Sequence, residues 1–177
     1  LAPTLVLPTG PADETPACTL AMCHLIGLAR ERLWIASPYF VPDLDVQTAL
    51  KLAALRGVDV RILVPDRPDH TIVWLAGFVY AEDASGAGIA IHRFGAGFMH
   101  QKVLLVDEAI AAIGTVNLDA RSLRQNFVLT AVTFDRAFAA EVAAMLERDF
   151  AAAPRDDRPL SARPPGVRLL APVARLA

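Results

Sequence analysis

The chain has little cysteine and little histidine, with two of the first and four of the second in 177 residues. Cys18 and Cys23 are five positions apart in a stretch of helical spacing, on different faces, so neither a disulfide nor a metal site is expected, and a reducing compartment is the default. No Asp, His or Cys set has ligand spacing, so no metal and no cofactor are expected. No charge-free apolar run reaches about 18 residues, which leaves this stretch without a predicted transmembrane helix. The first residue is Leu1 rather than Met, and no charged segment precedes an apolar core, so no intact signal peptide is expected and the sequence reads as a fragment. A net charge of −2 with no basic stripe speaks against nucleic acid as a substrate.

What is present suffices for one domain with a full core, since 54% of the residues are hydrophobic and 20% charged. Helical and strand patterns alternate. Helices are expected over 18–32, 45–55, 71–83 and 136–150, and strands over 33–37, 58–65, 89–92 and 127–134. That alternation predicts an α/β fold, a mixed sheet with helices on both faces. Residues 1–16, rich in Pro and Thr, are expected as a leader or interdomain linker, and residues 17–150 as the domain. Residues 151–177 form a Pro- and Arg-rich tail whose five Arg and two Asp give +3, against −5 for the rest. Such a tail is a solvated end or a contact for anionic lipid head groups.

The chemistry concentrates in one place. His100, Lys102 and Asp107 stand as H-x-K-x-x-x-x-D, and Gly114-Thr115-Val116-Asn117 follows. Residues 99–106 read as a buried strand and 109–113 as its hairpin partner. Alternation puts His100 and Lys102 on one side of the strand, with Gln101 and Val103 on the other. Thr115 and Asn117 share parity, so the polar groups at 100, 102, 115 and 117 are expected to converge on one patch. An imidazole can attack phosphorus or protonate a leaving oxygen. An ammonium neutralises phosphoryl charge, and hydroxyl and amide groups add hydrogen bonds without a metal. His24, His70 and His92 read as surface or satisfied core positions. His70 is set apart because it follows a strand's C-terminal end, where open α/β sheets bind ligands.

With these residues in view, the chain resembles the C-terminal half of bacterial cardiolipin synthases, in the phospholipase D superfamily. The resemblance rests on the His100–Asp107 motif, Ala36-Ser37-Pro38-Tyr39-Phe40-Val41-Pro42-Asp43, the run 56–65, Gly114 to Ser122, Asn126-Phe127 and Arg168 to Pro172. It implies one motif-bearing half of a phospholipase D-like fold, with His100, Lys102 and Asp107 catalytic and Thr115 and Asn117 on the substrate phosphate. The implied reaction joins two phosphatidylglycerol molecules through a phosphatidyl-histidine intermediate. The upstream half would supply the nucleophilic His, leaving His100 as general acid and base. Implied partners are an anionic phospholipid, the membrane surface, and an upstream motif-bearing half or a second copy of the chain, with no nucleic acid. The implied place is the bacterial cell membrane, active domain on the cytoplasmic side.

Two positions depart from the pattern. Thr115 stands where Ser is usual and keeps the hydroxyl. Val128 stands where the family usually has a Glu that orients the motif His, and Asp119 is a competing carboxylate. The alternatives are therefore a degenerate half that completes an active partner, or a homodimeric phosphodiesterase of nuclease type.

Overall fold

The computed structural model describes residues 2–67 and 69–176; Leu1, Pro68 and Ala177, the outermost residues of the expected leader and tail among them, lie outside the described residues. A seven-stranded mixed sheet runs through the molecule. In chain order the elements are β1 (Thr4–Thr9), α1 (Ala17–Leu28), β2 (Arg32–Ala36), β3 (Phe40–Val41), α2 (Leu44–Leu55), β4 (Asp59–Pro65), α3 (Thr71–Gly86) and β5 (Ala90–Phe94). Then come β6 (Val103–Val106), β7 (Ile110–Gly114), β8 (Leu118–Asp119), α4 (Ala120–Arg124), β9 (Val128–Phe134), α5 (Arg136–Ala151) and α6 (Pro165–Ala174). The sheet order is β1-β9-β7-β6-β2-β4-β5, and β3 with β8 makes a second, two-stranded sheet. β2, β4 and β5 are parallel, and β1, β9, β7, β6 and β2 pair antiparallel.

The central strands show why this sequence makes a three-layer fold. β2 sends Leu33 and Ile35 to one core and Trp34 and Ala36 to the other. β6 likewise splits Leu104 and Val106 from Val103 and Leu105. Burial on both faces requires a helix layer on each. The first core is closed by Leu25 and Ile26 of α1, Val46 and Leu50 of α2, and Ala81 and Ala84 of α3. The second is closed by Ala139, Val142, Leu146 and Phe150 of α5.

Two terminal segments differ from expectation. Within residues 1–16, Thr4–Thr9 forms the edge strand β1 rather than linker, in register with β9 from Thr4↔Thr133 to Thr9↔Val128. Its Pro8 is tolerated because an edge strand has one side free of ladder bonds. The segment after α5 does not extend as a solvated end either. Asp156 N–H donates to Ile91 O at 2.8 Å, laying the chain beside β5. The buried Asp156 carboxylate accepts from Arg93, from Arg163 at 2.7 Å and from Arg158 at 3.1 Å. Burial pulls its pKa up, but the guanidinium bonds outweigh this and hold it at about 2. Phe78 of α3 lies under Arg93 at 3.9 Å and Arg163 at 4.9 Å, and α6 packs on α3.

Candidate active site

His100 and Lys102 precede β6 rather than lying in it, because the strand begins only at Val103. Their parity nevertheless continues that of the strand. Gln101 turns toward α5, donating to Asp149 Oδ2 at 2.9 Å, while Lys102 faces the opposite layer. Lys102 Nζ lies 2.9 Å from His100 Nδ1 and 3.3 Å from Nε2, and it donates to His100 O at 2.9 Å. Phe98, 77% exposed, stacks on the imidazole at 5.6 Å and 12°. His100 is itself exposed, so the pair stands at an open surface. Burial holds the Lys102 pKa below its ordinary value, with Asp69 and Asp119 offsetting only part of the shift.

The chain's two other sequence blocks are physically joined beside this pair. β3 and β8 align Phe40 with Leu118 and Val41 with Asp119. Ser37 Oγ donates to Tyr39 O at 2.7 Å and accepts from Leu118 N–H at 2.9 Å. Asp43 caps α2 through Val46 N–H and also accepts from Thr19 and from Arg124 of α4. Asp119 caps α4, accepting from Ser122 N–H at 2.7 Å and Ser122 Oγ at 3.0 Å. Asn117 Nδ2 in turn donates to Ser122 Oγ at 3.2 Å. Gly114 is required where it stands, since a Cβ there would meet Leu129 O at 2.2 Å.

Two expected site residues fall elsewhere. Asp107 sits in the β6–β7 turn at φ 51°, at the end of β6 remote from His100. Its carboxylate accepts from the backbone N–H groups of Arg30, Glu31 and Arg32 at 2.9–3.2 Å, which tethers the start of β2 and occupies it structurally. Thr115 is turned away by the hairpin register. Val103 pairs with Ile113, which aligns Lys102 with Gly114 and Gln101 with Thr115. Thr115 Oγ1 accepts from Leu129 N–H at 2.9 Å, joining β7 to β9. The structure thus brings together His100 and Lys102, places Asn117 on the neighbouring β7–β8 connection, and removes Asp107 and Thr115 from the pair.

Sequence reasoning gave Tyr39 and Asp69 no role. Tyr39 Oη donates to Asp69 Oδ2 at 2.7 Å, and its ring lies 6.0 Å from His70. Burial and the Asp69 carboxylate push the Tyr39 pKa up. Burial also pulls Asp69 upward, but the Tyr39 hydroxyl and backbone N–H groups outweigh it and the net shift is down. The one available signal was His70, which follows β4 and stands at the N-cap of α3. His24 is exposed on α1, and His92 is satisfied by Ala153 O at 2.9 Å. Val128 is buried at 8% in the core cluster that holds Val116. No carboxylate hydrogen-bonds His100 among the described residues, nor is there a cluster of three potential metal ligands.

The model for the family "Cardiolipin synthase, PLD-like domain" matches residues 22–150. Cardiolipin synthase A of Pseudomonas aeruginosa is 55% identical over 146 residues, and that of Pseudomonas fluorescens is 53% identical over 148. These alignments cover 82% and 84% of this chain but only 30% and 31% of the relatives, so the chain spans about a third of their length. Among solved structures, a phosphatidylserine synthase from Haemophilus influenzae superposes with a TM-score of 0.78 at 17% identity, over 99% of this chain and 46% of that one. A phospholipase D family member, Nuc from Salmonella typhimurium, gives 0.73 at 18%, over 89% of this chain and all of that one. These two likenesses bear on the fold alone. With a family model spanning most of the sheet and both joined sequence blocks, the chain belongs to the cardiolipin synthase, phospholipase D-like domain family.

Proposed function

We propose that this chain supplies one catalytic half of a phosphatidyltransferase of cardiolipin synthase type. The observation that carries the reading is the contact of Lys102 Nζ with His100 at an open surface. A bare imidazole–ammonium pair facing outward has the groups for phosphoryl transfer and lacks the second imidazole that double displacement needs. The missing histidine comes from the upstream half, and its imidazole attacks the phosphorus of one phosphatidylglycerol. A phosphorus–nitrogen bond forms, the phosphorus–oxygen bond to glycerol breaks, and His100 gives its proton to the departing alkoxide. The hydroxyl of a second phosphatidylglycerol then bonds to phosphorus as the phosphorus–nitrogen bond breaks, and its proton passes to His100. Lys102 holds the phosphoryl oxygens throughout. Asp107 and Thr115 support the scaffold of this half.

The proposed setting is the cytoplasmic face of the bacterial membrane; no helix among the described residues is long and apolar enough to cross a membrane. The test is lipid analysis of the full-length protein on phosphatidylglycerol vesicles. Cardiolipin and glycerol should appear in equal amounts; cleavage without a joined lipid product would contradict the reading. A second reading, a degenerate half that completes an active partner, is favoured by Val128, which leaves His100 without a carboxylate from this strand.

A further inference from the structure

One helix of the fold carries its apolar residues on the outside. α5 shows the ordinary pattern, with Ala139, Val142 and Leu146 turned inward and Glu141 and Arg148 turned to solvent. α6 inverts it. At about 100° per residue, Val167, Ala171 and Ala174 share one side, and they are the covered residues of a helix that packs on α3. Leu169, Pro172 and Val173 lie on the opposite side, with Leu170 at its edge and Leu176 just past the helix end. Leu169 is 72% exposed, Leu170 53%, Val173 63% and Leu176 89%. Four such side chains on one short element make a continuous apolar surface, unlike the single exposed leucine that any soluble domain tolerates.

The charge beside that surface indicates what covers it. No acidic residue follows Asp157, whereas Arg158, Arg163, Arg168 and Arg175 do. Arg158 and Arg163 bond Asp156, and Arg155 bonds Asp157. That leaves Arg168 and Arg175, which fall together on one flank of α6 and have no acidic partner among the described residues. Arg175 rests over the Tyr80 ring at 4.9 Å. An apolar face bordered by cations is the pattern that seats a helix in the surface of an anionic bilayer. The apolar side chains enter the acyl boundary and the guanidinium groups stay at the phosphates. α6 is already folded against α3, so docking orders no new segment. We propose that α6 is the membrane-docking element of this half, lying in the surface of a bilayer that carries anionic phospholipid.

This assignment rests on the membrane setting proposed above, and it is read by binding rather than turnover, so the two can fail separately. The 177-residue chain, which closes a core on each face of its sheet, is floated with phosphatidylglycerol vesicles and with phosphatidylcholine vesicles. It should float with the first, and less with the second or at high salt. Leu169→Gln with Val173→Gln should weaken binding at least about tenfold. Arg168→Gln with Arg175→Gln should weaken it about thirtyfold at low salt, and the same two positions changed to Lys should keep most of the binding. Each variant should melt within about 2 °C of the parent. No flotation of the parent, or equal flotation of the parent and the Leu169→Gln, Val173→Gln variant, would overturn the assignment and leave the transferase reading standing. So would a lipid-free dimer that this variant dissociates, or a melting loss from it confined to the full-length protein, since either puts protein on the face. A full-length protein that floats through α6 yet makes no cardiolipin would overturn the transferase reading and leave the docking element in place.

Discussion

Replacing Val128 by Glu should change rate and stability in opposite directions. Extending the β7–β9 register by two residues and the β6–β7 register by three sets Val128 across from Val116, and Val116 across from His100. A carboxylate on that row faces the layer that Lys102 faces and can reach toward the imidazole. Fixing tautomer and orientation in a histidine–acid pair is worth up to about 10⁴ in rate, or about 5 kcal/mol of barrier. Against this, Val128 is 8% exposed, and giving up its burial costs about 1.5–3 kcal/mol. The new charge adds to that cost unless Lys102 or His100 pairs with it. The expected variant melts roughly 4–10 °C lower and turns over faster. Phosphatidyl transfer by the full-length protein reads the rate, and thermal unfolding reads the stability. Val128→Gln, similar in shape and uncharged, should show the stability loss without the gain. A folded Val128→Glu protein no faster than its parent would refute the idea that His100 lacks an orienting acid.

Three further outcomes follow from the geometry. Asp107→Ala removes the acceptor of three backbone N–H groups from a turn at φ 51°, so it should destabilise the fold by about 2–4 kcal/mol and leave the rate per folded molecule near that of the parent, as thermal melts and active-fraction titration would show. Asp156 titrates at about 2 against an ordinary 3.8, so its ionised form is favoured by folding; the stability it gives is present above about pH 4 and lost as pH falls through about 2, and Asp156→Asn should flatten that acid limb in pH-resolved unfolding. In the proposed reaction Lys102 supplies the cationic charge at the phosphoryl group, so transfer should persist in a chelator; complete loss restored by one divalent ion would contradict that role.

Much of this was legible in the sequence where the deciding forces are local. The Val- and Leu-rich run before Asp107 and its hairpin partner follow from apolar patterning, and the shared side of His100 and Lys102 follows from strand parity. Thr115 was misplaced because its side depends on the pairing register of the hairpin, which the turn at Asp107 sets and parity within one strand cannot. Asp107 falls within the motif, yet its partners at 30–32 lie some 75 residues away in sequence. Thr4–Thr9 has only a short Leu-Val-Leu run among Pro and Thr, the tail after α5 has the composition of a loop, and they pack on β9, β5 and α3. Tyr39 and Asp69 meet across 30 residues, and only the adjacent His70 marked the neighbourhood.

The central claim, that the chemistry of this half resides in the outward-facing His100 beside Lys102, is tested most directly by His100→Asn in the full-length protein on phosphatidylglycerol vesicles. His100 is exposed, so the melting temperature should stay within about 2 °C of the parent. Cardiolipin formation should fall by at least about 10³. Cardiolipin formation within a few-fold of the parent at an unchanged melting temperature would contradict the account.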